Sequence, residues 1–294
     1  MTSASLFTDT VNRSTEAANA AHRQPELSER ARRQAEVLAA LRPHVPAHAL
    51  LYQSEDTTPY ECDGLTAYRQ RPLLVCLPET YEQVQAVLKA CHEIQAPVIA
   101  RGAGTGLSGG AMPHPMGVTL SLAKFNKILK VDAYSRTALV QCGVRNLAIS
   151  EAAAPYGLYY APDPSSQIAC TIGGNVAENS GGVHCLKYGL TVHNVLKVKG
   201  FTIAGEPVEF GSDALDTPGL DLLAIMIGSE GMLAVVTEVT VKLIPKPQLA
   251  RCIMASFDDV RKAGDAVAAV IAAGIIPAGL EMMDKPMTAA VEDF

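Results

Sequence analysis

A loop with five glycines in nine residues, Gly102-Ala103-Gly104-Thr105-Gly106-Leu107-Ser108-Gly109-Gly110, constrains this chain more than any other segment. It follows Pro97-Val98-Ile99-Ala100-Arg101, whose apolar run reads as a buried strand. Glycine lacks a Cβ and accepts positive φ, so such a loop can turn its amides inward and let a ligand touch the main chain. Clustered amides of that kind suit a phosphate or pyrophosphate. Gly104, Gly106 and Gly109 also spell G-x-G-x-x-G, with Asp132 following at roughly the distance of a ribose-binding acid. A Rossmann turn, however, must open a helix inside the glycine run. Here Ala111-Met112-Pro113-His114-Pro115-Met116-Gly117 comes next, and its prolines remove amide donors and clash with a helical turn. Val118 to Leu122 then alternates as a strand. The sequence predicts strand–loop–strand and excludes the Rossmann reading.

The chain has 294 residues with 48% hydrophobic content, enough for one large domain or two ordinary ones. A net charge of −6 and the lack of Trp argue against a nucleic-acid partner or an anionic membrane surface. The seven cysteines are scattered without a C-x-x-C pair, the pattern of reduced, mostly buried thiols in a cytoplasmic protein. That spacing also excludes an iron–sulfur cluster held by this chain alone. The apolar run Ala266 to Leu280 is shorter than the ~18–20 residues of a membrane span and is broken by Gly274 and Pro277.

Residues 1–25 read as a mobile extension and 26–66 as a helical lead-in, with Leu27, Ala31, Gln34, Leu38 and Leu41 on one stripe. A compact domain is expected over 67–247. Its first lobe is a βαβ unit: strand Leu73 to Leu77, a helix opened by the capping box Thr80-x-x-Gln83, and strand Val98 to Ala100. Val118 to Leu122 is expected to start the second lobe. Strand Thr137 to Cys142, a helix from Arg145 to Ala154, the hairpin Leu196–Ile203 with Pro207–Phe210, a helix at Asp221 to Ile227 and the strand Val235 to Ile244 follow. Pro245-Lys246-Pro247 marks a boundary. Over 248–294 a strand (Ala250 to Phe257), a helix (Asp258 to Ala273) and a strand (Ile275 to Met283) read as the start of a truncated α/β domain.

Two further glycine clusters, Thr171 to Gly182 and Gly228-Ser229-Glu230-Gly231, stand beside apolar strands. Together the three clusters fit as walls of one long ligand site. Asn175 and Asn179 lie four apart, so on a helix they would share a face and offer amides to a heteroaromatic edge, or else cap local backbone. His184 and His193 read as polar-network or surface histidines, and Arg101 as a residue that orders its loop.

The segments Arg101 to Gly110, Pro162-Asp163-Pro164-Ser165-Ser166, Ile172 to Gly182, Lys187-Tyr188-Gly189 and Gly228 to Gly231 occur in an order that resembles the vanillyl-alcohol-oxidase / p-cresol-methylhydroxylase type of FAD-binding domain. Within it, the likeness is to D-2-hydroxyacid dehydrogenases, among them the FAD-linked subunit of bacterial glycolate oxidase. The resemblance covers about Leu41 to Phe294. It implies an α+β, two-lobed FAD-binding domain followed by an incomplete α/β substrate cap. It further implies oxidation of glycolate or D-lactate to the 2-oxo acid by hydride transfer to FAD. Arg101, Gly102, Ala103, Gly104, Thr105, Gly106, Ser108 and Gly109 would wrap the FAD pyrophosphate. Pro162 and Asp163 would lie along the flavin. Gly173, Gly174, Asn175, Asn179 and Gly182 would line the groove, and Glu230, Gly231 and Val236 would sit near the adenosine. Thr105 stands where covalently flavinylated relatives carry histidine, so non-covalent FAD is expected. Ala234 stands where a glycine is common.

The resemblance also implies iron–sulfur and second flavin-type partner subunits, through which the protein would lie against the inner membrane. Substrate-holding basic residues and a metal-binding histidine group follow this region in such enzymes, so neither a catalytic residue nor a metal ligand is assigned here. A D-2-hydroxyglutarate-type dehydrogenase and a catalytically incomplete FAD-binding module stand as alternatives.

Overall fold

The computed structural model describes residues 29–213 and 219–294. The expected mobile extension and Leu27 lie outside those residues. A helix over 29–41 (α1) opens the described chain, and its long side chains tie it to the strands that follow. Gln34 donates to the carbonyls of Tyr52 and Leu73 at 3.1 and 2.8 Å, and Arg30 to those of Pro72 and Pro115. Gln34 thus satisfies strand-end carbonyls from within an otherwise apolar stripe.

The first lobe is a four-stranded sheet built from β1 (Leu50–Leu51), β2 (Leu74–Cys76), β3 (Val98–Arg101) and β4 (Val118–Ser121). The order is β1-β2-β4-β3, with β4 parallel to both neighbours and β1 antiparallel to β2. This corrects the assignment of Val118 to Leu122 to the second lobe. Every residue of β4 is buried, Thr119 and Ser121 included, as a central parallel strand requires. β2 and β3, which flank the crossover helix, therefore do not pair with each other.

Among the helices of this lobe are α2 (Ser54–Thr57) and α3 (Tyr81–Glu93). The expected α3 stripe of Val84, Val87, Leu88 and Cys91 is fully buried. Thr80 Oγ1 accepts from Gln83 N–H as a helix cap, while the Gln83 carboxamide accepts from Glu79 N–H rather than from Thr80. The outer side of α3 joins the lobes. Gln141 donates to Tyr81 Oη at 2.9 Å, and Gln85 donates to the Gly205 carbonyl at 2.8 Å.

The second lobe is an antiparallel sheet of β5 (Ile128–Asp132), β6 (Thr137–Gln141), β8 (Val195–Phe201), β9 (Pro207–Gly211) and β10 (Val235–Lys242), in the order β5-β6-β10-β8-β9. A ribbon of β7 (Leu158–Tyr159) and β11 (Ile244–Pro245) stands apart. The helices α4 (Asn146–Ala153), α5 (Ile172–Glu178), α6 (Cys185–Tyr188), α7 (Thr191–Asn194) and α8 (Leu222–Met226) complete it. Asp132, the would-be ribose acid, accepts from the amides of Tyr134 and Ser135 in the β5–β6 turn. These bonds, with Lys130, hold its carboxyl well below the usual range. Asp132 is a turn residue.

Beyond the ribbon lie α9 (Val260–Ala272) and α10 (Lys285–Glu292). The strands expected at Ala250 to Phe257 and Ile275 to Met283 are not formed; both stretches run as irregular, largely exposed chain. Two strands around one helix have too little surface to bury themselves, and no third strand pairs with either among the described residues.

Burial pushes the thiols of Cys76, Cys91 and Cys142 up to about 12. The thiolate is the reactive form, so iodoacetamide at pH 8 should label exposed Cys252 and spare these three, as read by peptide mass spectrometry. Their raised folded-state values also give a sign. The neutral thiols' contribution is complete below an unfolded pKa of ~8.5 and is lost as pH rises toward 12, so stability should fall in that window.

Candidate functional site

The connection from Arg101 to Val118 joins two adjacent parallel strands without a helix, and its glycine loop leaves the end of β3 with Ala103, Leu107 and Ser108 exposed and the rest half-buried. Long irregular connections in compact domains are usually functional. Gly104 and Gly109 take φ of 71° and 81°, the region that favours glycine.

Arg101 holds the loop from below. Its side chain is buried, donates to the Cys62 carbonyl at 2.8 Å and lies 5.5 Å from the Tyr60 ring centroid. A Cβ on Gly104 would come within 2.3 Å of its guanidinium. Burial lowers the Arg101 pKa, against the opposing attraction of Asp63, Cys62 and Tyr60. Gly64 supports the loop from the same side, since its Cβ would meet the carbonyls of Gly106 and Thr105 at 2.7 and 2.8 Å.

The second glycine cluster forms α5. A Cβ on Gly173 would lie 2.7 Å from Cys142 Cβ in the turn that follows β6, and one on Gly102 would lie 2.2 Å from Thr171 Oγ1. The first and second clusters therefore touch through Thr171. This hydroxyl is buried, caps no helix amide and has no hydrogen-bond partner among the described residues. The third cluster closes the other end of α5: Gly228 N–H and Glu230 N–H donate to the carbonyls of Val176 and Ala177 at 2.8 and 2.9 Å.

Between them runs a partly open cleft. Arg101, Gly102, Gly173, Gly174, Gly231 and Val236 all line it, so one cavity unites residues from all three clusters. The sequence reading missed Thr171, Cys142 and Met226, which share the lining. Thr171 carried a signal, as a hydroxyl at the head of a glycine-rich helix; Cys142 and Met226 look like any core residue.

The other expected site residues fall around the cleft rather than in its lining. Ala103, Gly104, Thr105, Gly106 and Gly109 belong to the overlying loop, and the Ser108 hydroxyl donates to Glu178 at 2.8 Å. Asn175 and Asn179 do not share a helical face: Asn179 has left-handed φ as the C-cap, and its Oδ1 accepts from Val192 N–H. Buried Asn175 donates to Asn146 Oδ1 at 2.9 Å, and Asn146 donates to the Pro162 carbonyl at 2.8 Å. Glu230 is exposed with φ 53°. Asp163 contacts His184, and a Cβ on Gly182 would collide with the Asp163 carbonyl at 2.3 Å. His193 accepts from Leu190 N–H, a local backbone role.

Residues 72–211 match the family model of an FAD binding domain, and 246–294 match that of the C-terminal domain of FAD linked oxidases. Glycolate oxidase subunit GlcD of Escherichia coli K12 is 65% identical over 258 residues, 88% of this chain and 52% of that protein. D-lactate dehydrogenase of Anaerostipes hadrus is 37% identical over 79% of this chain and 49% of its own length. The chain belongs to the FAD-linked oxidases. It spans about half the length of the curated relatives it matches. Among solved structures, alkyldihydroxyacetonephosphate synthase superimposes with a TM-score of 0.71 at 22% identity, covering 83% of this chain and 46% of that one; this likeness shows the fold.

The cleft fits FAD by composition. Gly102, Gly173 and Gly174 allow backbone to approach closely, Thr171 offers an unused hydroxyl, and Leu122, Met226, Val235 and Val236 supply apolar walls for flat rings. The architecture is the two-lobed, α+β domain of the p-cresol-methylhydroxylase type.

Proposed function

We propose that the full protein oxidises a small 2-hydroxy acid, glycolate or D-lactate, to the 2-oxo acid, with FAD held non-covalently in this cleft. The observation that carries the reading is the 65% identity to a glycolate oxidase subunit across a chain whose three glycine clusters meet in one cavity. When bound, FAD supplies an acceptor for two electrons from the substrate carbon. The chain's own part is to bind and orient: the loop from Arg101 to Gly109 takes the pyrophosphate on its amides, Thr171 donates from beneath, and Pro162, Asp163 and Gly182 border the flavin. Asn175, Asn179, Glu230 and Val236 complete the groove by fixing its backbone. Thr105 lacks the nucleophilic nitrogen that a covalent flavin link uses. The proposed domain limits are 67–247 for FAD and 248 onward for the substrate cap.

A relative named as a subunit supports partner subunits for this protein; the proposal includes among them an iron–sulfur carrier that removes electrons one at a time. No helix among the described residues is long and apolar enough to cross a membrane, so attachment to the inner membrane would run through such partners. The test is anaerobic mixing of the full-length, FAD-loaded protein with glycolate, D-lactate or D-2-hydroxyglutarate. Glycolate or D-lactate should bleach the flavin band near completion. Reduction by D-2-hydroxyglutarate alone would transfer the reading to that substrate, and no reduction by any would end it.

A further inference from the structure

Around Asp163, which the functional reading sets along the flavin, stands a group of titratable side chains to which that reading gives no role: His184, Lys187, Tyr188 and Tyr159. His184 Nδ1 lies 2.5 Å from Asp163 Oδ2, and His184 N–H donates to Oδ1 of the same carboxylate at 3.3 Å. One carboxylate therefore holds both the ring and the backbone of this residue. Asp163 is itself fixed. It lies between two prolines, the Pro162 carbonyl is tied through Asn146 to Asn175 of α5, and Gly182 packs flush against its backbone. The connection runs unbroken from the cofactor helix to the imidazole. On the other side, the His184 and Tyr188 rings are 6.4 Å apart, Tyr188 meets Tyr159 edge-on, and Lys187 Nζ lies 5.5 Å from the Tyr188 ring centre. Burial, followed by the Tyr188 hydrogen bond, raises the Tyr159 pKa and keeps its phenol neutral.

The opposite ring nitrogen has no partner among the described residues. His184 is 43% exposed at its side chain, and Nε2 makes no hydrogen bond among the described residues. When Nδ1–H donates to the carboxylate, Nε2 of the neutral ring is left as an acceptor. The residue before it, Val183, is packed by the C-terminal segment: a Cβ on Gly279 would lie 2.7 Å from Val183 Cγ1. The imidazole thus sits where the cofactor domain meets the chain that follows it. It hangs from Asp163, which the functional reading sets along the flavin.

We propose that His184 Nε2 accepts a hydrogen bond from the substrate's 2-hydroxyl and so decides which acids bind productively. The inference rests on the functional reading above and adds a specificity-determining residue to it. A hydroxyl donates to Nε2, whereas an acid lacking one offers nothing there. Fixing the hydroxyl also fixes which C–H bond faces the flavin. Asp163 acts through His184 as a positioning residue.

The test uses the full-length, FAD-loaded protein and two redox-inert probes. 2-Hydroxyisobutyrate has the hydroxyl but no hydrogen on the reacting carbon, and isobutyrate has that hydrogen but no hydroxyl, so neither can be oxidised to a 2-oxo acid. Their affinities are read from changes in the oxidised flavin spectrum. Wild type should bind the hydroxy acid about tenfold more tightly, the scale of one net hydrogen bond. H184F, which keeps an aromatic ring beside Tyr188, should bring that ratio close to one at unchanged FAD content. H184Q, which retains an acceptor oxygen, should keep part of it. In wild type, the hydroxy acid and not isobutyrate should protect His184 from diethyl pyrocarbonate, a readout independent of any variant's folding. Equal affinity for the two acids in wild type, an unchanged ratio in H184F, or no selective protection overturns the inference. Failure of glycolate and D-lactate to bleach wild-type flavin overturns the functional reading instead.

Discussion

Gly102→Ala should leave a folded protein that has lost most of its affinity for FAD. The new Cβ would sit 2.2 Å from Thr171 Oγ1, well inside contact distance. Turning Oγ1 away also swings the methyl of a buried, β-branched side chain, so that relief carries a rotamer cost. The alternative is to shift the glycine loop away from α5, which are two walls of the same cleft. Overpacking of this kind costs about 1–3 kcal/mol. Each 1.4 kcal/mol is a factor of ten, so FAD binding should weaken roughly 10- to 100-fold by fluorescence titration. Gly231→Ala makes the contrast. Nothing lies within 4 Å of that Cβ, and its cost is the left-handed φ of 77°, roughly 1–2 kcal/mol. A double substitution, Gly102→Ala with Thr171→Ala, removes the colliding atom and should recover part of the lost affinity, since touching residues do not add independently. Equal losses in the single and double variants would show that Thr171 is not what Gly102 must avoid.

The local signals in this sequence were strong where the chain folds on itself. The Thr80 cap, the buried α3 stripe and the prolines after Gly110 each act within a few residues, and the strand–loop–strand reading around the glycine loop holds. Pairing across the chain was harder to read. Val118 to Ser121 is apolar enough for either lobe, and only its insertion between β2 and β3 explains why Thr119 and Ser121 are buried as well. Ala250 to Phe257 has strand composition, yet a strand needs a partner that its own residues cannot provide. At the site, glycine spacing located the walls because close approach depends on a missing Cβ. It could not reveal that Asn175 and Asn179 are committed to Asn146 and Val192, or that Cys142 and Met226 face the cleft. Side-chain direction is set by neighbours distant in sequence.

Arg101→Lys should be nearly as damaging as Arg101→Met, although it preserves the charge. Arg101 is 92% buried, with its guanidinium against the Cys62 carbonyl, the Tyr60 ring and the space that Gly104 leaves open. Those contacts use planarity and a fork of donors, which an ammonium lacks. Lysine would bury a more strongly hydrated charge and abandon the stacking. Methionine would leave the Cys62 carbonyl unpaired. Loss of a charge-assisted hydrogen bond at a buried acceptor costs roughly 1.5–3 kcal/mol. Both variants should therefore unfold at lower urea and, because the loop from Gly102 to Gly110 rests on this side chain, should bind FAD at least tenfold more weakly. Asp63 adds a second check. Its Oδ1 accepts from Leu65 N–H, but buried Oδ2 has no partner among the described residues, so its charge is balanced in part by Arg101 at longer range. Asp63→Asn should then cost less in Arg101→Met than in the wild-type background. If Arg101→Lys keeps wild-type stability and FAD affinity but loses turnover, Arg101 contacts the substrate instead. If it keeps all three, positive charge alone is what the loop requires.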